Sequence, residues 1–313
     1  MGVTIILAQM LMLFAMMLVG YFIWKRKWFD EAAYQKLSKI VVNILNPLLA
    51  IYGVAGKDSE GNADLLLQNL GFVVAFYVLL IVVSFLLAAL LHPLGAERKL
   101  YRLMCIFPNA AFMGIPVITS IFGSGSMIYI VFYVLGYNLL LYTYGVALAK
   151  KAARDVNAEE TKDGKGQWKR MLGPGVIASV AAMVIFLLKL PLPAPVESFC
   201  DYMGNATIPM SMLLIGMSIA KADLKKIFVN KRMYAFVALR MLLLPIGTAL
   251  LLKPFGADAT VLGVFVLQLS MPVGSMVTLI AKENGADEAV CTNGIVLTTL
   301  ASILTIPVVC MFL

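Results

Sequence analysis

The distribution of apolar residues along the chain limits the fold more than any other feature of the sequence. Ten apolar stretches are each long enough for a helix to cross a bilayer, which takes about 20 residues. We number them segments 1 to 10, at residues 3–24, 36–55, 69–91, 101–122, 126–149, 172–190, 200–220, 231–252, 259–281 and 288–313. Apolar residues make up 61% of the chain and charged residues only 13%. The sequence therefore predicts an all-α polytopic membrane protein with ten transmembrane helices.

Lysine and arginine are distributed unequally between the loops that these segments define. The loops after segments 1, 3, 5, 7 and 9 hold 21 of the 25 basic residues, whereas the opposite loops hold Lys57, Lys189 and Lys253. Cytoplasmic loops collect positive charge. We therefore expect both termini outside the cytoplasm, a first segment that is a retained helix rather than a signal peptide, and a plasma-membrane location, which in a bacterium is the inner membrane.

The two halves of the chain share short strings at nearly constant distance. Residues 92–97 (HPLGAE) resemble residues 253–258 (KPFGAD) at an offset of 161, and an Asn/Pro pair beginning at Asn43 matches one beginning at Asn205 at an offset of 162. Each half then contains five segments, and an odd number inverts the second half in the membrane. The predicted units are residues 1–149 and 172–313, two inverted five-helix repeats joined by a cytoplasmic linker at residues 150–171.

Segments 4 and 9 carry helix-breaking residues at corresponding depths. Segment 4 reads FPNAAFMGIP at residues 107–116, and segment 9 reads LSMPVGSM at residues 269–276. Each proline removes a backbone donor, and a polar group freed in hydrocarbon must be satisfied by protein, water or ligand. Single prolines such as Pro47 and Pro245 are interpreted as ordinary kinks. Matching breaks in both halves instead favour a site for a small organic anion near the bilayer midplane, because half-helix N-termini attract negative charge.

Polar side chains within the segments supply candidate ligands. Arg240 lies deep in segment 8, and no acidic residue lies at comparable depth in any segment. A buried guanidinium needs a partner, which is either a substrate carboxylate or the exposed carbonyl groups of a broken helix; the sequence leaves both open. Asn43, Asn46 and Asn109 can donate hydrogen bonds to an anion or satisfy a kinked backbone.

At these residues the chain resembles the auxin efflux carrier family, which includes plant auxin carriers and bacterial members associated with malate and malonate. The string from Asn109 to Pro116 is similar to the family's Asn-x-x-x-x-Gly-x-Pro motif, and Met271–Gly274, followed by Ala-Lys-Glu at residues 281–283, is similar to its second motif. The resemblance covers essentially the whole chain. It implies a scaffold of segments 1, 2, 6 and 7, a transport domain of segments 3–5 and 8–10, and an elevator-like movement of that domain.

The resemblance also implies a substrate site where segments 4 and 9 cross, faced by polar groups of segment 2. The predicted substrate-binding residues are Asn43, Asn46, Asn109, Gly114, Pro116, Arg240, Pro272, Gly274 and Ser275. We expect a secondary-active carrier of small mono- or dicarboxylates such as malate, malonate or auxin-like acids, embedded in the lipid bilayer. Carriers with a rigid scaffold often form homodimers through it.

Other functions find less support in the sequence. The net charge of +8 comes from loops and matches no nucleic-acid motif. Four cysteines and one histidine show no metal-ligand spacing, so neither a metal nor a cofactor is expected. An enzyme would need a nucleophile, base or metal constellation that the segments lack. A sodium- or proton-coupled cation antiporter is the main alternative, although such carriers use intramembrane acids; an anion channel or sensor of the same architecture is the next.

Overall fold

A computed structural model describes residues 3–54, 63–155, 190–221 and 230–313, with residues 177, 180–182, 184, 185 and 188 between them. These residues are helical almost throughout and contain no strand beyond one isolated bridge between Pro108 and Val273. Most of segment 6 and most of the predicted linker lie outside the described residues. The predicted all-α class is confirmed for the part of the chain that the structure describes.

The helices follow the predicted segments closely. The first half contains Val3–Lys25, Glu31–Ile40, Asn46–Val54, Ala63–Leu90, Gly95–Ile106, Ile115–Phe122, Met127–Leu140 and Val146–Arg154. The second half contains Ala194–Asn205, Thr207–Lys221, Lys231–Ala238, Leu244–Leu252, Ala259–Ser270, Met276–Glu283 and Glu288–Cys310. By length and apolar composition, five described stretches can cross a membrane: Leu67–Leu90, Met127–Arg154, Ala194–Lys221, Lys231–Phe255 and Glu288–Cys310. The total of ten crossings stays a prediction.

Several segments contain a π-helical turn, in which the helix is locally wider. Among the described residues these turns are Val41–Leu45, Ala110–Gly114, Leu141–Gly145 and Leu239–Leu243. Three of them end two residues before a proline, namely Pro47, Pro116 and Pro245. A proline ring clashes with the preceding turn of an α-helix and lacks the N–H donor, and the wider turn accommodates it without ending the helix. The kinks expected at Pro47 and Pro245 thus take the form of π-helical turns, which are frequent at functional sites.

Segments 1, 2 and 7 pack together through close backbone contacts. A side chain added at Gly20 of segment 1 would overlap the backbone of Leu213 in segment 7, and one added at Gly216 would overlap the backbone of Met17. Nearer the N-terminal end of segment 7, a Cβ at Gly204 would lie 2.8 Å from the Cα of Leu49 in segment 2. Small residues at helix contacts in membranes permit such approach. We call these three segments the first packing group.

Segments 3, 4, 5, 8, 9 and 10 form a second packing group around the helix Ala259–Ser270 of segment 9. Every residue of this helix from Val261 to Ser270 is buried. Phe76 of segment 3 makes edge-to-face contacts with Tyr133 of segment 5 and Phe265 of segment 9, at centroid distances of 5.1 and 5.9 Å. Segment 9 therefore approaches its break from the centre of the second packing group.

Candidate functional site at the paired helix breaks

The breaks in segments 4 and 9 lie against each other. Segment 4 is not helical at residues 107–109, and segment 9 is not helical at residues 271–275. The N–H of Asn109 donates to the carbonyl of Pro272 at 2.7 Å, and the N–H of Gly274 donates to the carbonyl of Phe107 at 2.9 Å. Two stretches far apart in the sequence thus satisfy each other's backbone groups, which is the condition for irregular backbone at membrane depth. We call residues 107–109 and 271–275 the paired breaks.

Gly274 is required by the closeness of this pairing. An ideal Cβ on Gly274 would lie 2.8 Å from the hydroxyl oxygen of Tyr137 and 2.9 Å from the carbonyl oxygen of Pro108. Tyr137 belongs to segment 5, and its ring packs edge-on against Phe107 at 5.6 Å. The breaks are therefore closed on one side by segment 5, with no room for a larger residue at position 274.

Asn109 caps the second half-helix of segment 4. Its side-chain oxygen accepts a hydrogen bond from the N–H of Phe112 at 3.1 Å, and its carbonyl accepts one from the N–H of Gly114 at 2.9 Å. The side chain is buried, with 8% exposure. Since the oxygen is committed to the cap, the Nδ2 amide of Asn109 is the atom that can donate to a ligand, and no described residue accepts from it.

Arg240 binds the carbonyl groups of both broken helices. Its Nε donates to the carbonyl of Cys105 at 3.0 Å, and its Nη1 donates to the carbonyl of Leu269. These carbonyls belong to the last turns of Gly95–Ile106 and Ala259–Ser270, and helix C-termini favour a cation. Of the two partners that the sequence leaves open, the described hydrogen bonds of Arg240 go to broken-helix carbonyls. Arg240 therefore holds the two first half-helices in place.

Thr298 of segment 10 is a site residue that the sequence analysis missed. Its hydroxyl accepts a hydrogen bond from the N–H of Val273 at 3.1 Å and donates one to the carbonyl of Gly294 at 2.7 Å. The hydroxyl thereby satisfies a backbone donor that the break of segment 9 leaves without a helical partner. The signal available in the sequence was the pair of adjacent threonines, Thr298 and Thr299, within an apolar segment. Both are buried in the structure.

Gln268 of segment 9 is a second missed residue. Its side chain is fully buried, and within the described chain neither Oε1 nor Nε2 has a hydrogen-bond partner. An ideal Cβ on Gly114 would lie 3.1 Å from each of these two atoms, so the amide lies against the motif glycine of segment 4. A lone glutamine in the otherwise apolar run 261–269 was the available signal.

The remaining predicted site residues differ in their burial and in their position relative to the paired breaks. Gly114 and Pro116 are buried where the second half-helix of segment 4 begins, and Ser275 is half-buried directly before the second half-helix of segment 9. Asn46 is half-buried, and no described residue bonds its enclosed Oδ1. Asn43 is exposed and has no described contact with the breaks.

The first packing group reaches the paired breaks through Phe112. This residue packs against a cluster formed by Val41 and Leu45 of segment 2 with Leu214 and Met217 of segment 7. The cluster includes residues of the π-helical turn Val41–Leu45, which lies directly before Asn46. The structure thus places segment 2 against the π-helical turn that follows Asn109. Of the two asparagines of segment 2 that were predicted to face the site, Asn46 is half-buried and Asn43 is exposed.

Neutral donors dominate the polar groups at the site. Among the described residues, no group of three His, Cys, Asp or Glu side chains is close enough to hold a metal ion. The described polar groups at the breaks include the carboxamides of Asn109 and Gln268, the hydroxyls of Tyr137, Ser275 and Thr298, backbone amides and the guanidinium of Arg240. The arrangement is suited to binding a small polar solute rather than to covalent chemistry.

Paired broken helices inside an apolar, all-helical chain define a multi-pass membrane transport protein. The family model described as "Membrane transport protein" matches residues 5–310, and the chain belongs to that family, the auxin efflux carriers. The family predicted from the motifs of segments 4 and 9 is therefore confirmed, and the protein is a transporter rather than an enzyme.

Two relatives illustrate the family. Over 300 residues the chain is 22% identical to a protein of Methanothermobacter thermautotrophicus named "Uncharacterized transporter", and the match covers 93% of each chain. Over 134 residues it is 26% identical to a protein of Rhizobium meliloti named "Putative malonate transporter", which covers 42% of this chain and 41% of that protein.

Proposed function

We infer that the protein is a secondary-active carrier of small organic anions, and that mono- or dicarboxylates such as malate, malonate or auxin-like acids bind at the paired breaks. One observation carries this inference. The breaks satisfy each other's backbone groups through Asn109 and Gly274, the second half-helices of both segments begin at the breaks, and no described residue accepts a hydrogen bond from the Nδ2 amide of Asn109.

The charges around the breaks favour an anion. The second half-helices begin after Asn109 and Ser275, and each helix N-terminus stabilises a negative charge by about 0.3–1 kcal/mol. No acidic side chain lies at comparable depth in the sequence, so a cation would find no counter-charge there. This is the reason to prefer an anion carrier over a sodium- or proton-coupled cation antiporter.

The proposed architecture is ten crossings in two inverted repeats, with residues 1–149 and 172–313 as the repeats. The proposed scaffold consists of segments 1, 2, 6 and 7 and the proposed transport domain of segments 3–5 and 8–10; the two packing groups support this division for every segment except segment 6. Phe112 is a contact between the groups, and an elevator-like movement would slide the transport domain along this contact. A plasma-membrane location with both termini outside, and a homodimer through the scaffold, complete the proposal.

Malonate is the first substrate to test. A relative named "Putative malonate transporter" matches part of this chain, and malonate is a small dicarboxylate of the class that the site would accept. Saturable binding of radiolabelled malonate or malate to the purified protein in nanodiscs, and counterflow in proteoliposomes, are the expected results. A broad carboxylate screen that gave neither binding nor uptake would refute the proposed function, and unsaturable flux would indicate a channel.

Two substitutions of Asn109 separate binding from folding. Asn109→Ala removes both the helix cap and the Nδ2 donor, whereas Asn109→Asp keeps an oxygen for the N–H of Phe112, removes the donor and adds a negative charge that repels an anionic substrate. A hydrogen bond to a charged group contributes about 1.5–3 kcal/mol, so we expect both variants to bind the anion about 10- to 100-fold more weakly. Asn205→Ala is the control, because Asn205 is exposed on segment 7 and bonds only to Asp201.

A further inference from the structure

The carboxamide of Gln268 has an unusual position for a glutamine. It is fully buried at the break end of the most enclosed helix of the second packing group. Both of its polar atoms lack a hydrogen-bond partner among the described residues. Both also lie 3.1 Å from the place where a Cβ of Gly114 would stand. The amide therefore lies against Gly114, the motif position of segment 4 that has no side chain.

An amide buried in this way calls for a partner with matching groups. Of its two Nε2–H donors, a primary carboxamide presents one side by side with the acceptor Oε1, in one plane. Leaving a buried polar atom unsatisfied is costly. An ionised carboxylate offers only acceptors, so it would satisfy Nε2 and repel Oε1. A protonated carboxyl group offers one acceptor and one donor in the same spacing, and it satisfies both atoms at once.

We propose that Gln268 binds one carboxyl group of the substrate in its protonated form, so that the carrier takes a dicarboxylate as its monoanion. This proposal rests on the proposed function. The ionised carboxylate of the same molecule binds at Asn109 and the half-helix N-termini, and the protonated carboxyl pairs with Gln268 beside Gly114. The proton crosses the membrane as part of the substrate, and no residue of the chain has to release or accept it.

The charged groups around Gln268 agree with a neutral partner. The side chain of Asp258 caps the N-terminus of the helix that carries Gln268, and that of Glu288, at the start of the helix Glu288–Cys310, pairs with Lys282. The elements packed against Ala259–Ser270 otherwise carry tyrosines, cysteines, Arg240 and one acid at the start of the helix Ala63–Leu90: Asp64, Tyr77, Tyr129, Tyr133, Tyr137, Arg240, Cys291 and Cys310. Two nitrogens of Arg240 are bonded to the carbonyls of Cys105 and Leu269. These two donors of Arg240 are therefore not available to hold a second negative charge at Gln268.

The experiment compares malonate with malonamate and monomethyl malonate. Malonamate replaces one carboxyl by an amide, which keeps a donor and an acceptor at every pH; the methyl ester keeps only the acceptor. Binding to the wild-type protein in nanodiscs is measured over the pH range in which malonate loses its second proton. Malonate affinity should fall about tenfold per pH unit above that ionisation, malonamate affinity should stay constant, and the ester should bind weakly at every pH.

The variant Gln268→Leu identifies the residue responsible. It should bind malonamate about 10- to 100-fold more weakly than the wild type, because two hydrogen bonds are lost, and its malonate affinity should no longer depend on pH. Its thermal stability without substrate should be unchanged or higher, since no protein partner is lost. Propionate, which has no second carboxyl group, should bind both proteins equally.

Asn69→Leu is the matched control for burial of a carboxamide. Asn69 is also fully buried, but its Nδ2 donates to the carbonyl of Tyr129 at 3.2 Å. This variant should lose stability and keep wild-type malonamate binding. Wild-type malonate binding that is independent of pH, or malonamate binding by Gln268→Leu that equals the wild type, overturns the assignment of Gln268 and leaves the proposed function standing. Absence of binding of any carboxylate to the folded wild type overturns both.

Discussion

Replacing Gly274 by alanine tests whether the close pairing of the two breaks holds the site together. The added Cβ would lie 2.8 Å from the hydroxyl of Tyr137, 2.9 Å from the carbonyl oxygen of Pro108 and 3.1 Å from that of Phe107. The hydroxyl can move with its side chain, but the two carbonyls belong to the backbone of the other break. The substitution therefore has to push segment 9 away from segment 4.

The expected magnitude follows from the contacts that this movement breaks. The hydrogen bonds from Asn109 to Pro272 and from Gly274 to Phe107 would lengthen together, and each contributes about 0.5–1.5 kcal/mol. Overpacking of a tight site costs a similar total, about 1–3 kcal/mol. We expect Gly274→Ala to destabilise the protein by about that amount and to abolish saturable substrate binding.

Two other glycines provide graded controls. At Gly114 the nearest atoms are the flexible side-chain ends of Gln268 at 3.1 Å, so Gly114→Ala should destabilise less than Gly274→Ala. At Gly247, on the helix Leu244–Leu252, nothing lies within 4 Å of an added Cβ. Gly247→Ala should be neutral or stabilising by about 0.5–1 kcal/mol, because alanine favours a helix over glycine.

The assay is thermal unfolding of the purified proteins in detergent at one scan rate, since unfolding of such proteins is often irreversible. Radiolabelled substrate binding is measured on the same samples. The expected order of apparent midpoint is Gly247→Ala at or above wild type, then Gly114→Ala, then Gly274→Ala. If Gly274→Ala unfolds and binds like Gly247→Ala, the backbone pairing of the two breaks does not support the site.

Three further substitutions test other contacts by the same thermal assay. Arg240→Met leaves two buried carbonyls without their donor, so we expect a loss of about 2–6 kcal/mol; Arg240→Lys should restore only part of it, and full restoration would contradict the two-carbonyl arrangement. Thr298→Val removes the acceptor of the Val273 N–H and should cost about 1–3 kcal/mol, with Thr298→Ser near wild type; equal effects of valine and serine would count against the hydroxyl. Gly216→Ala should prevent segments 1 and 7 from packing and sharply lower the yield of monodisperse protein in size-exclusion chromatography, whereas Gly71→Ala, with open space around it, should not.

The sequence by itself determined the class of the protein and the position of the breaks. Helix-length apolar segments are a local property of the chain, because a bilayer imposes the same length on every crossing. The interruptions near Pro108 and Pro272 are local as well, since a proline disturbs the helix in which it lies. The family followed from the motifs Asn109–Pro116 and Met271–Gly274, which lie at these interruptions, and the family model confirmed it.

Only the tertiary structure decided what each polar residue contacts. Arg240 had two acceptable partners in the sequence, and its bond to the carbonyl of Cys105 joins residues 135 positions apart. Thr298 and Gln268 passed unnoticed because their importance depends on Val273 and Gly114, which are their neighbours only after folding. Hydrogen bonds and close contacts act over a few ångströms in space and leave no periodic signal along the chain.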